Sequence, residues 1–291
     1  MPSWNDVLDE LSFDGVRRKY LRKLHEHTGR NVIAYYSGWL QKPNSDKASI
    51  YDGDKNGFMN AVYGLDRTLG LDLILHTPGG DVAATESIVH YLREMFGEDM
   101  RVIVPQIAMS AGTMIACSAK SIVLGKHSNL GPIDPHIGGL PTFGVINEFE
   151  RAIREVKEDP DKLQIWQLII GKYHPTFLGA CQNAIDLSTQ MVTDWLQTGM
   201  FAHNPEACEI AERVVKALNN HDDTKSHARH IHMDEAKEMG LVVEELEDSQ
   251  DLQDLVLTVH HAYMHTLSNS PAIKIIENHS GQALVENIPY P

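Results

Sequence analysis

The sequence predicts an α/β fold built on a parallel sheet, on three observations. Residues 71–75 (LDLIL) and 101–105 (RVIVP) are short apolar runs bounded by breakers, the pattern of strands buried on both faces. Between them Val82, Ile88, Val89, Leu92, Met95 and Phe96 recur at helical spacing. Strand, glycine turn, helix and strand make a βαβ unit, whose crossover is expected to be right-handed.

The other elements follow in order. Residues 3–28 read as an amphipathic helix or helix pair broken near Gly15. Arg17, Arg18, Lys19, Arg22 and Lys23 give it a basic face, read as solvated, with docking on a neighbouring subunit as the alternative. Residues 31–40 (NVIAYYSGWL) read as the first strand and 41–52 as a polar loop. Residues 52–57 (DGDKNG) imitate the start of a calcium loop, but the twelfth position, where a bidentate Glu belongs, is Tyr63. Calcium is rejected, and the carboxylates suit the N-terminus of a helix running to about Leu69. Residues 111–117 form a small-residue helix and 121–124 (SIVL) a short strand. A Gly/Pro-rich loop at 125–139 carries His127, Asp134 and His136. From Thr142 the pattern turns helical, at roughly 143–157, 161–172, 177–198 and 205–219. A short helix ended by Gly240 leads into a strand by residue 245, and 249–268 is a further helix. Residues 272–277 and 282–287 alternate apolar and polar, a terminal hairpin whose exposed edge invites assembly.

Composition narrows the function classes. The 291 residues are 42% hydrophobic, enough for a substantial core, and carry a formal charge of −15. That charge disfavours nucleic acid or an anionic membrane as partner. The three cysteines form no C-x-x-C pair and read as buried thiols of a reducing compartment. No signal-peptide h-region or run of about 18 apolar residues is read, so a soluble, cytoplasmic protein is expected.

The chemistry centres on Ser110. A Ser at a helix entry is ordinarily an N-cap. Here Ala108, Ala111 and Gly112 are small enough for a substrate backbone to approach, and AMSAG resembles a G-x-S-x-G nucleophile elbow with Ala first. Thr77-Pro78-Gly79-Gly80 ends the preceding strand on the same side of the sheet. An oxyanion hole needs two preorganised N–H donors, and the amides of Gly80 and Ala111 are the candidates, with Gly79 admitting close approach.

Taken together, HTPGGD, MSAGTMIA and LGPIDP resemble the serine dehydrogenase proteinase family, relatives of signal peptide peptidase A in the Clp protease/crotonase superfamily. The likeness extends through GKYHPTF, SHARHIHMDEAKEMGLVVEELED and KIIENHSG, covering most of the chain after about residue 30. It implies a Clp/crotonase-like βαβ core with a helical extension and C-terminal hairpin, and serine-type peptide hydrolysis. The expected organisation is an N-terminal helical segment (1–30), a catalytic domain (31–248) with a helical insertion about 143–219, and a C-terminal helix and hairpin (249–291). It also implies a homo-oligomer acting on peptide or unfolded protein. Relatives in the signal peptide peptidase group are often membrane-anchored, and this chain departs from them in that no integral membrane span is expected from its apolar runs.

A Ser hydroxyl needs a base. The superfamily uses His with Asp, or Lys alone. Aligned on Gly138-Gly139, the Clp-type histidine position falls on Asp134, with His136 two residues later, so His136 is the secondary base candidate. The signal peptide peptidase branch takes its base from a helical segment downstream, where Lys157, Lys162 and Lys172 lie. Lys157 and Lys162 sit in an acidic turn, whereas Lys172 ends an apolar segment, where burial would free its amine. Lys172 is therefore the base candidate, against the plainer reading of a Lys favouring a helix C-terminus.

The 16 histidines offer possible metal pairs at His227, His230 and His232 and at His260, His261 and His265. Without H-E-x-x-H or an acidic ligand at helical spacing they read as structural, and neither metal nor cofactor is expected. A serine dehydratase would need a pyridoxal phosphate lysine and phosphate loop, and no such set is found. The alternatives to a peptidase are a crotonase-like acyl-CoA enzyme, disfavoured by Ser110 and the lack of a basic nucleotide patch, and a silent peptide-binding scaffold.

Overall fold

The computed structural model describes residues 12–219 and 228–288. Its centre is a seven-stranded sheet ordered β10-β5-β3-β2-β1-β11-β12. The five strands β1 (Asn31–Ser37), β2 (Leu71–His76), β3 (Met100–Val104), β5 (Ser121–Leu124) and β10 (Val243–Glu245) run parallel. The expected βαβ unit is β2, α3 (Val82–Phe96) and β3, paired in parallel. Every residue of β1 and β2 is buried, as continuous apolar strands covered on both faces must be.

Strand periodicity divides the core. Leu71, Leu73 and Leu75 point into one cluster with α2 (Asp54–Val62), α3, α4 (Ala111–Cys117), α7 (Phe177–Thr198), α8 (Ala207–Asn219) and α9 (Met233–Met239). Ile74 points into the other, with α1 (Phe13–Thr28) and α10 (Gln250–Asn269). Helices α5 (Thr142–Glu158) and α6 (Leu163–Ile170) lie outside these clusters; α5 packs on α7, and α6 packs on α5. A small second sheet joins β4 (Ile107–Ala108), β6 (Asn129–Leu130) and β9 (Ile231–His232).

Several expectations are corrected. The helix starting at Asp54 ends at Val62, and the chain turns through Gly64 at φ 78° instead of reaching Leu69. Helix α1 runs through Gly15 unbroken; the expected residues before 12 lie outside the described residues. Its basic face is not all solvated. Arg17 is fully buried and binds Glu277 (3.0 Å), Thr266 and Asp14, with Arg18 on the other Glu277 oxygen. The terminal hairpin exists, but it is no free appendage. β11 (Ala272–Asn278) is wholly buried and pairs antiparallel with β1, leaving β12 (Ala283–Asn287) as the sheet edge. Cys117 and Cys181 are buried, whereas Cys208 is exposed.

Candidate active site

The site forms where β2 runs out. Thr77 is held against β4: its N–H donates to the Ile107 carbonyl (3.1 Å) and its carbonyl accepts from Met109 (3.0 Å). Its hydroxyl accepts from the Gly79 amide (3.2 Å). Ile50 then clasps the loop from the opposite edge. Its N–H donates to the Gly79 carbonyl (2.8 Å) and its carbonyl accepts from Asp81 (2.9 Å). Both bonds step around Gly80, whose own N–H is left on the side away from Ile50. Asp81 closes the loop by capping α3 through the Ala84 amide (2.7 Å).

Ser110 stands opposite, at φ 51° and ψ −117°, the one non-glycine residue with positive φ among the described residues. Such a backbone is strained for an L-residue and persists only where its surroundings impose it. Here β4 and the Thr77 bonds fix the preceding residues, and Gly112 N–H to Met109 carbonyl (2.8 Å) closes the turn. Ser110 occupies the N-cap position of α4, yet its hydroxyl makes no capping bond. The N-cap reading therefore fails on geometry, and the strand–turn–helix context of a nucleophile elbow is present.

The small residues around Ser110 also let the turn pack closely, and Ala108, Ala111 and Gly112 are buried. A Cβ on Gly112 would lie 2.5 Å from the Thr77 methyl. Gly79, at φ 96°, presses on the elbow itself: a Cβ there would meet the Met109 carbonyl at 2.7 Å, the Ser110 Cβ at 2.8 Å and the Ala111 nitrogen at 3.0 Å. A Cβ on Gly80 would strike the Ile50 backbone at 2.3 Å.

Of the three expected oxyanion residues, Gly79 has its amide engaged by Thr77. The amides of Gly80 and Ala111 make no hydrogen bond among the described residues, Ala111 because it opens α4 and has no carbonyl a turn behind it. Nearby Cys117 is no rival nucleophile, since burial pushes its thiol up to about 12.

The base candidates are placed less favourably. Lys172 follows α6 and is exposed, so the burial expected to free its amine is absent. The apolar segment before it is itself open to solvent, with Leu168 74% exposed. Lys157 is exposed and Lys162 faces Glu155 at 3.5 Å. Among the described residues no hydrogen bond joins Ser110 to any of the three, and Lys162 is instead paired with Glu155. His136 lies on a two-strand turn made by β7 (His136–Ile137) and β8 (Leu140–Pro141), with Nε2 3.3 Å from Oδ2 of the buried Asp134.

Among the described residues no group of three His, Cys, Asp or Glu could hold a metal ion, and no helix is long and apolar enough to cross a membrane. His227 lies outside the described residues, and His230 and His232 are exposed. Sequence reasoning missed Ile50, which clasps the loop, and gave Thr77 no role. The signal for Ile50 is faint, one apolar residue between a polar loop and a helix.

A mixed sheet, mainly parallel, with helices packed on it carries a strained serine at the head of a helix, facing a glycine loop, and the fold is of the ClpP-like α/β class. Comparison with known proteins agrees. The family model described as ClpP-like SDH-type serine proteinase matches residues 12–277, and the chain belongs to that family. Among curated proteins, the uncharacterized protein MJ0137 of Methanocaldococcus jannaschii is 30% identical over 235 residues, covering 78% of this chain and 73% of that protein. A second uncharacterized protein of the same organism, MJ1495, is 30% identical over 148 residues, covering 49% of this chain and 50% of that one.

Proposed function

We propose that the chain hydrolyses peptide bonds by covalent acyl transfer through Ser110. The observation that carries this is the Ser110 backbone: a strained, non-capping serine beside two unengaged amides. Ser110 Oγ attacks the scissile carbonyl and its proton passes to a base. The Gly80 and Ala111 amides receive the oxyanion. The tetrahedral adduct collapses, the base protonates the departing amine, and water then cleaves the ester to restore Ser110. Removing one oxyanion donor is expected to cost about two to three orders of magnitude in rate.

The base is a lysine of the 157–172 segment, Lys172 first, reaching Ser110 in the assembled, substrate-bound form. The substrate is an extended or unfolded polypeptide, and the working form is a homo-oligomer. Ile153, Ile165 and Leu168 on α5 and α6 are 70%, 61% and 74% exposed, more apolar surface than one chain covers by itself. A second reading takes His136 as base, oriented by Asp134; the 3.3 Å contact between them favours it.

The test is cleavage of an unstructured protein by wild type and by Ser110→Ala, Lys172→Ala and His136→Ala at matched assembly. Loss in Ser110→Ala and Lys172→Ala with His136→Ala active supports the Ser-Lys mechanism. Loss in His136→Ala with Lys172→Ala active moves the base to His136. An inactive wild type that binds peptide would return the scaffold reading, and acyl-CoA turnover the crotonase one.

A further inference from the structure

Lys274 and Asp54 form an ion pair with neither side chain exposed to solvent, and the chemistry proposed above makes no use of it. Lys274 Nζ spends its donors on both Asp54 oxygens (2.7 and 3.0 Å) and on the Ser49 carbonyl (2.8 Å). Asp54 Oδ2 also accepts from the Tyr35 hydroxyl (2.7 Å) and the Tyr51 amide (3.3 Å). Stability alone is a weak reason for such a pair. Desolvating two charges offsets most of their attraction, and apolar pairs of equal volume are often as stable.

What the pair does specify is position. It holds Ser49 through the lysine and Tyr51 through the carboxylate, the two residues flanking Ile50. Ile50 in turn clasps Gly79 and Asp81 and so turns the Gly80 amide away from itself. A second arm leaves Asp54 through the Tyr35 hydroxyl to β1, where Tyr35 pairs in register with Leu75 on β2, two residues before Thr77. The Thr77 hydroxyl oxygen holds the Gly79 amide, and the Thr77 methyl lies against Gly112 in the Ser110 turn. Both arms start at one carboxylate and end on the loop facing Ser110.

We propose that Asp54 and Lys274, acting through Ile50 on one arm and through Tyr35 and Thr77 on the other, are positioning residues that fix the Gly79–Gly80 loop as an oxyanion-binding element. The inference rests on the Ser110 hydrolase reading. A loop aimed in advance stabilises charge in the transition state, so losing the aim lowers kcat and leaves ground-state binding nearly alone.

The test uses near-isosteric variants of the full chain: Tyr35→Phe, Thr77→Val and the apolar pair Asp54→Leu with Lys274→Met. Read-outs are kcat and KM on an unstructured peptide, the rate of Ser110 labelling by a fluorophosphonate, and Tm. We expect kcat and labelling to fall about 10-fold or more in each, with KM within about threefold. Thr77→Ser, which keeps the hydroxyl, should recover most of the rate. Variants that lose Tm but keep kcat would show a structural role alone and overturn the inference. If the double variant does not fold, Tyr35→Phe and Thr77→Val decide by themselves. A wild type that neither cleaves nor labels overturns the hydrolase reading, and this inference with it. A wild type that does both beside fully active variants overturns this inference only.

Discussion

Gly79 and Ser110 are packed so closely that a single methyl group at 79 would sit 2.8 Å from the Ser110 Cβ. The same methyl would meet two backbone atoms of the elbow, neither able to rotate away. Gly79→Ala is therefore expected to displace Ser110 and abolish activity. It should also lower stability by about 2 kcal/mol or more through the clash and the strain at φ 96°. Denaturant unfolding and fluorophosphonate labelling check both parts. Wild-type stability with wild-type labelling would mean that the loop yields.

Ser110 itself carries strain that a glycine would not. At φ 51°, Ser110→Gly removes the nucleophile and also the penalty of a side chain in that backbone region. The expected outcome is an inactive protein about 1 kcal/mol more stable than wild type. Ser110→Ala, equally inactive, keeps the strain and shows no such gain. Equal midpoints for the two variants would contradict this.

Much of this geometry could be read from the residues, and the failures have physical causes. β2, α3 and β3 were legible because burial on both faces and helical spacing leave direct traces in sequence. The tight turn at Ser110 was legible in its small neighbours, since Gly112 has to lie against the Thr77 methyl. The burial expected of Lys172 fails because an apolar run next to it reads as a buried one. Leu168 is in the run and is largely exposed, so apolar character there marks a surface instead of a core. Arg17 and Lys274 were missed for the opposite reason. Their partners Glu277 and Asp54 lie about 260 and 220 residues away, and no local pattern reports such pairs. Lys274 still left a clue, a lysine inside the apolar alternation of β11.

That exposed run makes a prediction of its own. Placing a charge in a docking surface is costly, whereas on a free surface it is harmless. Leu168→Glu is expected to lower the assembly state measured by sedimentation and to lower peptidase activity in parallel, leaving the Tm of the single chain nearly unchanged. Unaltered assembly would remove α6 from the interface.

Stability should also depend on pH through buried histidines. Burial, with His261 and His127 nearby, depresses His260 from 6.5 to about 4, and burial with His25 stacked on its ring does the same to His279. Both bind a proton more readily unfolded than folded, so the unfolded state gains protons first as pH falls. Stability is thus complete above about 6.5 and lost progressively towards pH 4. His260→Phe, which keeps the ring beside Tyr36, should make the loss between these values shallower by about one proton's contribution. An unchanged slope would place the titration elsewhere.

The central claim is that Ser110 is a nucleophile, and direct labelling tests it without assuming a substrate or a base. Wild type is incubated with a fluorophosphonate, and intact mass and peptide mapping follow. One phosphonyl group per chain on the peptide containing Ser110, absent in Ser110→Ala, is the predicted result. A folded, assembled wild type that stays unlabelled, or is labelled equally in Ser110→Ala, would contradict it.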